Sequence, residues 1–136
     1  MPETMKLEIV TPDGKAYAED VEMVTLTGAE GEIGILPQHV RLMTQMLPGE
    51  LVVRRGGKDV FVAVGGGLVE VRADRVQILT DMAVAAEKVD EARAEEARRR
   101  AEVRLQDQLS AEEVAATNAA LNRALAQLKV KRRHHG

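Results

Sequence analysis

Residues 50–81 run ELVVRRGGKDVFVAVGGGLVEVRADRVQILTD, in which short apolar runs alternate with turn residues. A Gly-Gly pair at 56–57 separates ELVVRR from DVFVAV, as in a tight turn between antiparallel strands. LVEVR (68–72) and RVQILT flank a second turn at 73–74, and the three apolar residues of LVEVR are expected to leave its two charged residues facing water. Because regularly spaced short strands are typical of sandwiches and barrels, this segment predicts an all-β domain.

The same pattern extends back to Met5. KLEIV and VEMVTLT alternate apolar and polar residues, and TPDG at 11–14 predicts a turn with proline at its second position. Strands of ordinary length would number roughly nine or ten over this stretch. We therefore expect residues 1–87 to form an N-terminal β-sandwich of about ten strands.

The apolar period changes after Asp81, from two residues to about 3.6, which predicts helices. Two helices separated near QLSAEE are expected, and Ser110 with Glu113 predicts a capping box that starts the second helix at about Ala111. The predicted apolar stripes comprise Val89, Ala92, Ala97, Ala101 and Leu105 in the first helix and Val114, Leu121, Leu125 and Leu128 in the second. Facing stripes and a short connection predict an antiparallel two-helix hairpin over residues 88–136. The fold class is thus α+β in two parts.

Alanine dominates these stripes. At about 25 cal/mol per Å² of buried apolar surface, such small side chains hold a helix pair only weakly. The hairpin is therefore expected to be an arm that can detach from the sandwich.

Composition and charge exclude several classes of protein. Cysteine is absent, so there is no disulfide framework, no thiolate nucleophile and no cysteine-containing zinc site. The net charge is −3, with an acidic half before residue 89 and a mildly basic half after it, and no basic stripe favours nucleic acid. No apolar run approaches the roughly 20 residues that span a bilayer, and no secretory signal pattern is present, so membrane contact is expected only through a partner.

Turn residues and histidines give few candidate sites in the front half. GAEGEIGILPQH (28–39) predicts a stiff loop on which Glu30 and Glu32 form a contact surface. His39 has no nucleophile or second histidine beside it in sequence, so no catalytic set and no metal site are expected. The glycines of VGGGLVEV lack phosphate-loop spacing and predict a bulge or tight turn. The basic end KVKRRHHG is expected to fray, with incidental metal affinity at residues 134–135.

Asp90, Arg93 and Arg100 are spaced so that a helix places them on roughly one face. Ala94 leaves room there for a flat ligand to approach the backbone. A second interpretation stays open, in which the aspartate merely suits the helix start and the arginines form i,i+4 pairs, Glu95 with Arg99 and Glu96 with Arg100.

Three segments carry a family resemblance. The chain contains GAEGEIGILPQHVRLMTQMLPGELVV, similar to GxLGILPxHxPLxTxLxPG, and VAVGGGLVEVRADRVQILTD, similar to SGGxLEVxxxxVTVLAD. VDEARAEEARRRAE resembles the same family's helix start. The whole chain thus resembles the epsilon subunit of bacterial rotary F-type ATP synthases, although Arg41 stands where that family usually has proline.

The resemblance implies a ten-stranded sandwich, two helices and a role without catalysis. Such a subunit belongs to the rotor's central stalk, binds the gamma subunit and rests on the c ring, so that it touches the membrane only indirectly. The resemblance places it on the cytoplasmic side of the cell inner (plasma) membrane. The implied interface with the c ring and gamma comprises Glu30, Gly31, Glu32 and His39.

The resemblance also implies a switch in the hairpin. Folded on the sandwich, the hairpin leaves the enzyme active; extended along gamma, it inserts between the alpha and beta subunits and blocks ATP hydrolysis. The resemblance further implies that basic residues of the hairpin meet an acidic segment of the beta subunits. These residues are Arg98, Arg99, Lys129, Lys131, Arg132 and Arg133, and Arg123 could join them.

Some members of the family bind ATP through a motif [IL]DxxRA and further arginines. The residues that match here are Val89, Asp90, Arg93 and Ala94, with Arg100 and Arg123 as the further arginines. Val84 and Gln127 depart from the pattern, which has a glutamate and an arginine there. Each departure removes a contact to the nucleotide, and charge-assisted hydrogen bonds contribute about 1.5–3 kcal/mol each. We therefore expect only weak regulatory ATP binding, millimolar or absent, and no required cofactor.

An alternative function belongs to another class. A β-sandwich that presents a helical hairpin could serve as an adaptor protein of an unrelated assembly, with no link to ATP. Copurification with a gamma subunit separates the two hypotheses.

Overall fold

The computed structural model describes the backbone of residues 3–135 and the side chains as far as Arg133. Ten strands are β1 (Met5–Thr11), β2 (Gly14–Val21), β3 (Met23–Gly28), β4 (Gly31–Ile35), β5 (Leu42–Met46), β6 (Gly49–Arg55), β7 (Lys58–Val64), β8 (Gly67–Val71), β9 (Arg75–Thr80) and β10 (Ala83–Ala85). A 3₁₀ turn (Ala86–Lys88) and the helices α1 (Glu91–Arg104) and α2 (Ala111–His135) follow. The predicted α+β fold, a sandwich followed by two helices, is confirmed.

All ten strands belong to one sheet that folds back on itself. Its order is β10-β7-β6-β3-β5-β8-β9-β1-β2, with β4 paired to β3 beside this path. β1 and β9 pair in parallel, the other described pairs are antiparallel, and β2 approaches β6 across the two layers. The hairpins predicted around residues 56–57 and 73–74 are confirmed as β6–β7 and β8–β9.

The core between the layers is aliphatic. Its fully buried large side chains include Leu7, Ile9, Val24, Leu26, Ile35, Met46, Leu51, Val53 and Ile78. Alternate residues of each strand supply them, which is the pattern expected of a sheet with one face against a core.

β7 departs from this alternation because both of its faces are covered. Val62 and Val64 belong to the central core, whereas Phe61 and Ala63 belong to a second cluster that α2 covers. This explains why DVFVAV is an almost unbroken apolar run.

The glycines that precede β8 allow close packing. A Cβ on Gly65 would collide with the Asp81 carboxylate, and a Cβ on Gly67 would collide with the Leu79 carbonyl. The predicted tight connection between strands is confirmed, and it opens a strand, whereas a phosphate loop would open a helix.

Side chains cap both helices. The Arg93 backbone N–H donates to Asp90 Oδ1 (3.1 Å), so Asp90 caps α1. The capping box of α2 is confirmed, since the Glu113 N–H donates to Ser110 Oγ (3.1 Å) and the Ser110 N–H donates to Glu113 Oε1 (3.2 Å). The hydrogen bond from the Ser110 backbone, with that from its hydroxyl, lowers the pKa of Glu113. α2 continues through the basic residues 129–133, so the expectation of fraying there is wrong.

The hairpin is antiparallel, but its predicted stripes are partly wrong. Ala101 and Leu128 are buried as expected, whereas Ala92, Val114 and Leu125 are exposed. The buried residues Ala126 and Val130 were missed because α2 contacts β6 and β7 as well as α1. A single stripe cannot describe a helix with two partners.

Candidate functional site

A cleft of about 410 Å³ lies where the hairpin meets the end of the sandwich. β10 and the 3₁₀ turn supply Val84 and Lys88, and the two helices supply the rest of the lining. Five of the six residues predicted to bind a nucleotide line this hairpin cleft: Asp90, Arg93, Ala94, Arg100 and Arg123. The sixth, Val89, is buried beside it in the cluster that holds Ala63 and Ala86, and so anchors the start of α1.

The cleft carries more cations than anions. Lys88, Arg93 and Arg100 form no ion pair with any residue whose side chain the structure describes, whereas Arg123 Nη1 lies 3.1 Å from Asp81 Oδ2. Asp90 uses one oxygen to cap α1. The two interpretations of this aspartate are therefore compatible, because the capping residue also borders the cleft.

The expected i,i+4 pairs of α1 are not formed among the described side chains. Arg98 instead pairs with Glu95 (2.7 Å) and with Glu102. Its hydrogen bond lowers the pKa of Glu95, and the same bond raises the pKa of Arg98. This arrangement leaves Arg100 available to the cleft.

Small and apolar side chains form the walls of the cleft. Alanines of both helices line it, at positions 94, 97, 120 and 124. Gln127 also lines it, and its Nε2 donates to Met82 Sδ (3.1 Å). The cleft thus combines cations with small apolar side chains, which is suited to an anion.

Lys88 is a cleft residue that the sequence analysis missed. It ends the 3₁₀ turn, one position before the motif that begins at Val89, so the helical spacing used to find the other residues does not include it. Its position directly before that motif in the sequence was the signal that could have identified it as a cleft residue.

A second, larger groove of about 830 Å³ is lined by other residues of the two helices. Four of the six residues predicted for the inhibitory contact line this basic groove: Arg98, Lys129, Arg132 and Arg133. Arg99 and Lys131 do not line it. Leu125 and Leu128 also line it, and Glu95 Oε1 lies 3.6 Å from Arg132 Nη2.

Arg133 ties the last described turn of α2 to the sandwich. Its guanidinium lies 3.4 Å from Glu50 Oε1 and 5.0 Å from the centre of the Phe61 ring. The Glu50 side chain is only 9% exposed, and its second oxygen has no partner among the described residues. We call Glu50, Phe61 and Arg133 the latch; it sets a nearly buried carboxylate against one arginine.

The residues predicted to face the rotor do not form one cluster. Glu30, Gly31 and Glu32 lie at the β3–β4 turn, where Gly31 has a φ of +124°. His39 follows the other end of β4, and its Nδ1–H donates to the Val40 carbonyl (2.7 Å). The turn and the histidine are therefore two separate candidate contacts.

An apolar patch covers part of the outer sheet face. Leu68 lies opposite Leu79 on β8 and β9 and is 51% exposed, so its predicted inward position is wrong. Met43 on the neighbouring β5 is 66% exposed, and Val40 on the loop before it is 80% exposed. Met43 lies opposite Glu70, so the exposed apolar pair is Leu68 with Leu79. Exposed apolar side chains on one sheet face make that face a candidate surface for another protein.

Neither described helix is long and apolar enough to cross a membrane. No group of three or more acidic or histidine side chains in the described part of the chain is arranged as a metal site would require. The side chains at 134–135 lie outside the described residues.

Both parts of the chain match family models. Residues 4–86 match the ATP synthase delta/epsilon chain beta-sandwich domain, and residues 87–132 match the long alpha-helix domain of the same family. The chain is 46% identical to the ATP synthase epsilon chain of Dehalococcoides mccartyi over 96% of both chains. It is 41% identical to that of Laribacter hongkongensis, over 97% of this chain and 99% of the relative.

Solved structures show the same fold. A chain in the cryo-EM structure of the Euglena gracilis mitochondrial ATP synthase, comprising OSCP, F1 and c ring, superposes with a TM-score of 0.76 and 26% identity, over 100% of this chain and 84% of that one. A chain in the central stalk and c ring of the Tetrahymena thermophila enzyme has a TM-score of 0.66 at 17% identity, over 96% and 98% of the two chains.

The latch generates a prediction about hairpin opening. Arg133→Gln should lower the free energy of opening of α2 by about 1–2 kcal/mol, because it leaves the Glu50 carboxylate nearly buried and unpaired. Native-state hydrogen exchange of the α2 amides measures this quantity. Arg132→Gln is the matched control, since Arg132 is exposed and its removal should change the opening by less than about 0.5 kcal/mol. Equal effects of the two substitutions would contradict the latch.

Proposed function

Because the chain belongs to the ATP synthase delta/epsilon chain family, we propose that it acts as a non-catalytic subunit of the rotor's central stalk, coupling the catalytic core to the c ring. The observation that carries this proposal is the match of both domains, in order, across residues 4–132. The adaptor of an unrelated assembly is not favoured, because an unrelated protein need not share both domains.

The gamma subunit and the c ring are the proposed partners. The Euglena assembly that contains a similar chain also contains a c ring. On this chain, the β3–β4 turn offers Glu30 and Glu32, which form no ion pair among the described side chains, as a polar contact for the c ring. The patch around Leu68 and Leu79 offers an apolar contact for gamma. The complex is membrane-associated, and we place this subunit on the cytoplasmic side of the inner membrane, touching the bilayer only through its partners.

Inhibition of ATP hydrolysis is the proposed second role, carried by the hairpin when it leaves the sandwich. The attachment of α2 rests on a small cluster of alanine and valine side chains and on two ion pairs, Arg123 with Asp81 and Arg133 with Glu50. The exposed pair of Arg123 with Asp81 contributes about 0–1 kcal/mol, and the pair of Arg133 with the nearly buried Glu50 about 1–2 kcal/mol, so release is accessible. The arginines of the basic groove then exchange their internal carboxylates for an acidic segment of the beta subunits.

Weak ATP binding in the hairpin cleft is the proposed means of regulation. Lys88 and the arginines at 93, 100 and 123 supply cations for the phosphates. Because the side chains of Lys88, Arg93 and Arg100 are exposed and therefore screened, we expect a millimolar dissociation constant.

Truncation tests the inhibitory role. Added to an ATPase core that lacks this subunit, the full chain should reduce ATP hydrolysis, whereas a chain ending at Glu87 should bind without reducing it, because the inhibiting helices are absent. Copurification of the shortened chain with gamma shows that it is folded and bound. Equal inhibition by both chains would refute the role of the hairpin.

Substitution of one exposed leucine tests the rotor role. Leu68→Asp should weaken copurification with gamma at least about tenfold, because it places a charge in an apolar contact. Leu125→Asp is the matched control: Leu125 is 45% exposed on the hairpin, away from the proposed gamma face, and its substitution should leave copurification unchanged. The proposed gamma surface is wrong if both variants bind gamma as well as the parent chain does.

A further inference from the structure

The hairpin has two basic regions, and the hairpin cleft has more unpaired cations than the basic groove, where only Lys129 forms no ion pair among the described side chains. In the basic groove, Arg98, Arg132 and Arg133 each lie against a carboxylate of the protein itself. In the hairpin cleft, Lys88, Arg93 and Arg100 pair with no carboxylate among the described side chains. An added anion therefore gains most in the cleft, where it displaces no existing partner.

The walls of the cleft offer few groups that could recognise a nucleobase. Val84 and the alanines at 94, 97, 120 and 124 offer no side-chain donor or acceptor. Two neutral or acidic polar side chains remain, and each makes one hydrogen bond: Gln127 Nε2 donates to Met82 Sδ, and Asp90 Oδ1 accepts from the Arg93 N–H. No aromatic ring lines the cleft, so a base has no stacking partner either. Discrimination between bases requires polar groups that the wrong base would leave unpaired. In this lining the cations Lys88, Arg93, Arg100 and Arg123 outnumber the two side chains that could serve in that way, so the phosphates are the part of a nucleotide that the cleft matches best.

Lys88 is held where it can meet the phosphates. The next residue, Val89, is buried in the cluster between sandwich and hairpin, and its N–H donates to the Ala86 carbonyl (3.3 Å). Asp90 then caps α1, so the backbone on the C-terminal side of Lys88 is fixed. The lysine head stays in solvent at the rim of the cleft, opposite arginines carried by both helices.

From these observations we infer that the hairpin cleft recognises a polyphosphate chain and not a base, and that Lys88 is one of its phosphate-binding residues. The inference rests on the proposed nucleotide role of the cleft and narrows it. Every nucleoside triphosphate, and inorganic tripolyphosphate without any nucleoside, binds with about the same affinity. A neutral nucleoside does not bind.

A titration of the full chain tests this inference. In magnesium-free buffer of low ionic strength, amide chemical shifts are followed by NMR as ATP, GTP, tripolyphosphate or adenosine is added. The dissociation constants for ATP, GTP and tripolyphosphate should agree within about threefold, and adenosine should give no saturable shift. Raising the salt concentration should weaken all three alike, because the contacts are charge-assisted and exposed.

Variants of Lys88 test its assignment. Lys88→Gln should weaken ATP and tripolyphosphate alike by about fivefold to tenfold, the loss of one charged contact on an exposed residue. Lys88→Arg, which keeps the charge, should retain affinity within about twofold. Lys58→Gln is the matched control, because Lys58 is exposed at the start of β7 and does not line the cleft.

The outcomes separate the inference from the proposal beneath it. If ATP binds at least about tenfold tighter than GTP and tripolyphosphate, the base is read; the inference is then overturned and the nucleotide role survives. If none of the three binds at several millimolar, both are overturned. If the ligands bind but Lys88→Gln matches Lys58→Gln, the role of Lys88 is overturned.

Discussion

The contact between α2 and the outer face of β7 is the interaction on which the rest of the arrangement depends. Ala63 of the strand and Ala126 and Val130 of the helix lie in one buried cluster. The hairpin cleft and the latch both need this contact, because each combines residues of α2 with residues of the sandwich or the turn after it. Since small side chains bury little surface, the contact positions the helices without holding them permanently. Its loss dismantles the cleft and releases the latch together.

The charges of the hairpin follow from the same contact. The unpaired cations of the cleft lie on the 3₁₀ turn and α1, and α2 completes the cleft with Arg123 only while the hairpin is folded, so an anion held between them would favour the folded arrangement. The arginines of the basic groove are already matched by Glu50, Glu95 and Glu102. An acidic partner must replace those carboxylates, and it gains most when the hairpin is released. An anion in the hairpin cleft would therefore favour the folded hairpin, whereas an acidic partner at the basic groove would favour the released one.

Local features of the fold were predictable from sequence, and long-range ones were not. Turn chemistry at 56–57 and the capping box at Ser110 act within a few residues, so their patterns are visible in the chain, and the family resemblance is confirmed. The resemblance also named most residues of the cleft, whereas Lys88 lay outside its motif. The latch was missed because it joins Glu50 to Arg133, far apart in sequence. Strict alternation places Leu68 on the same outward face as Glu70; its inward position was predicted from its apolar character, which a residue on a partner-binding face shares with a core residue.

The central claim is that the hairpin inhibits only after α2 leaves β7. The chain has no cysteine, so Ala63→Cys combined with Ala126→Cys leaves a single possible disulfide, between two residues of the buried cluster. The most direct measurement is ATP hydrolysis by a core reconstituted with this variant, oxidised and then reduced. The account predicts no inhibition while the disulfide holds the hairpin down and recovery of inhibition on reduction. Equal inhibition in both states, with the disulfide verified by mass spectrometry, would contradict it.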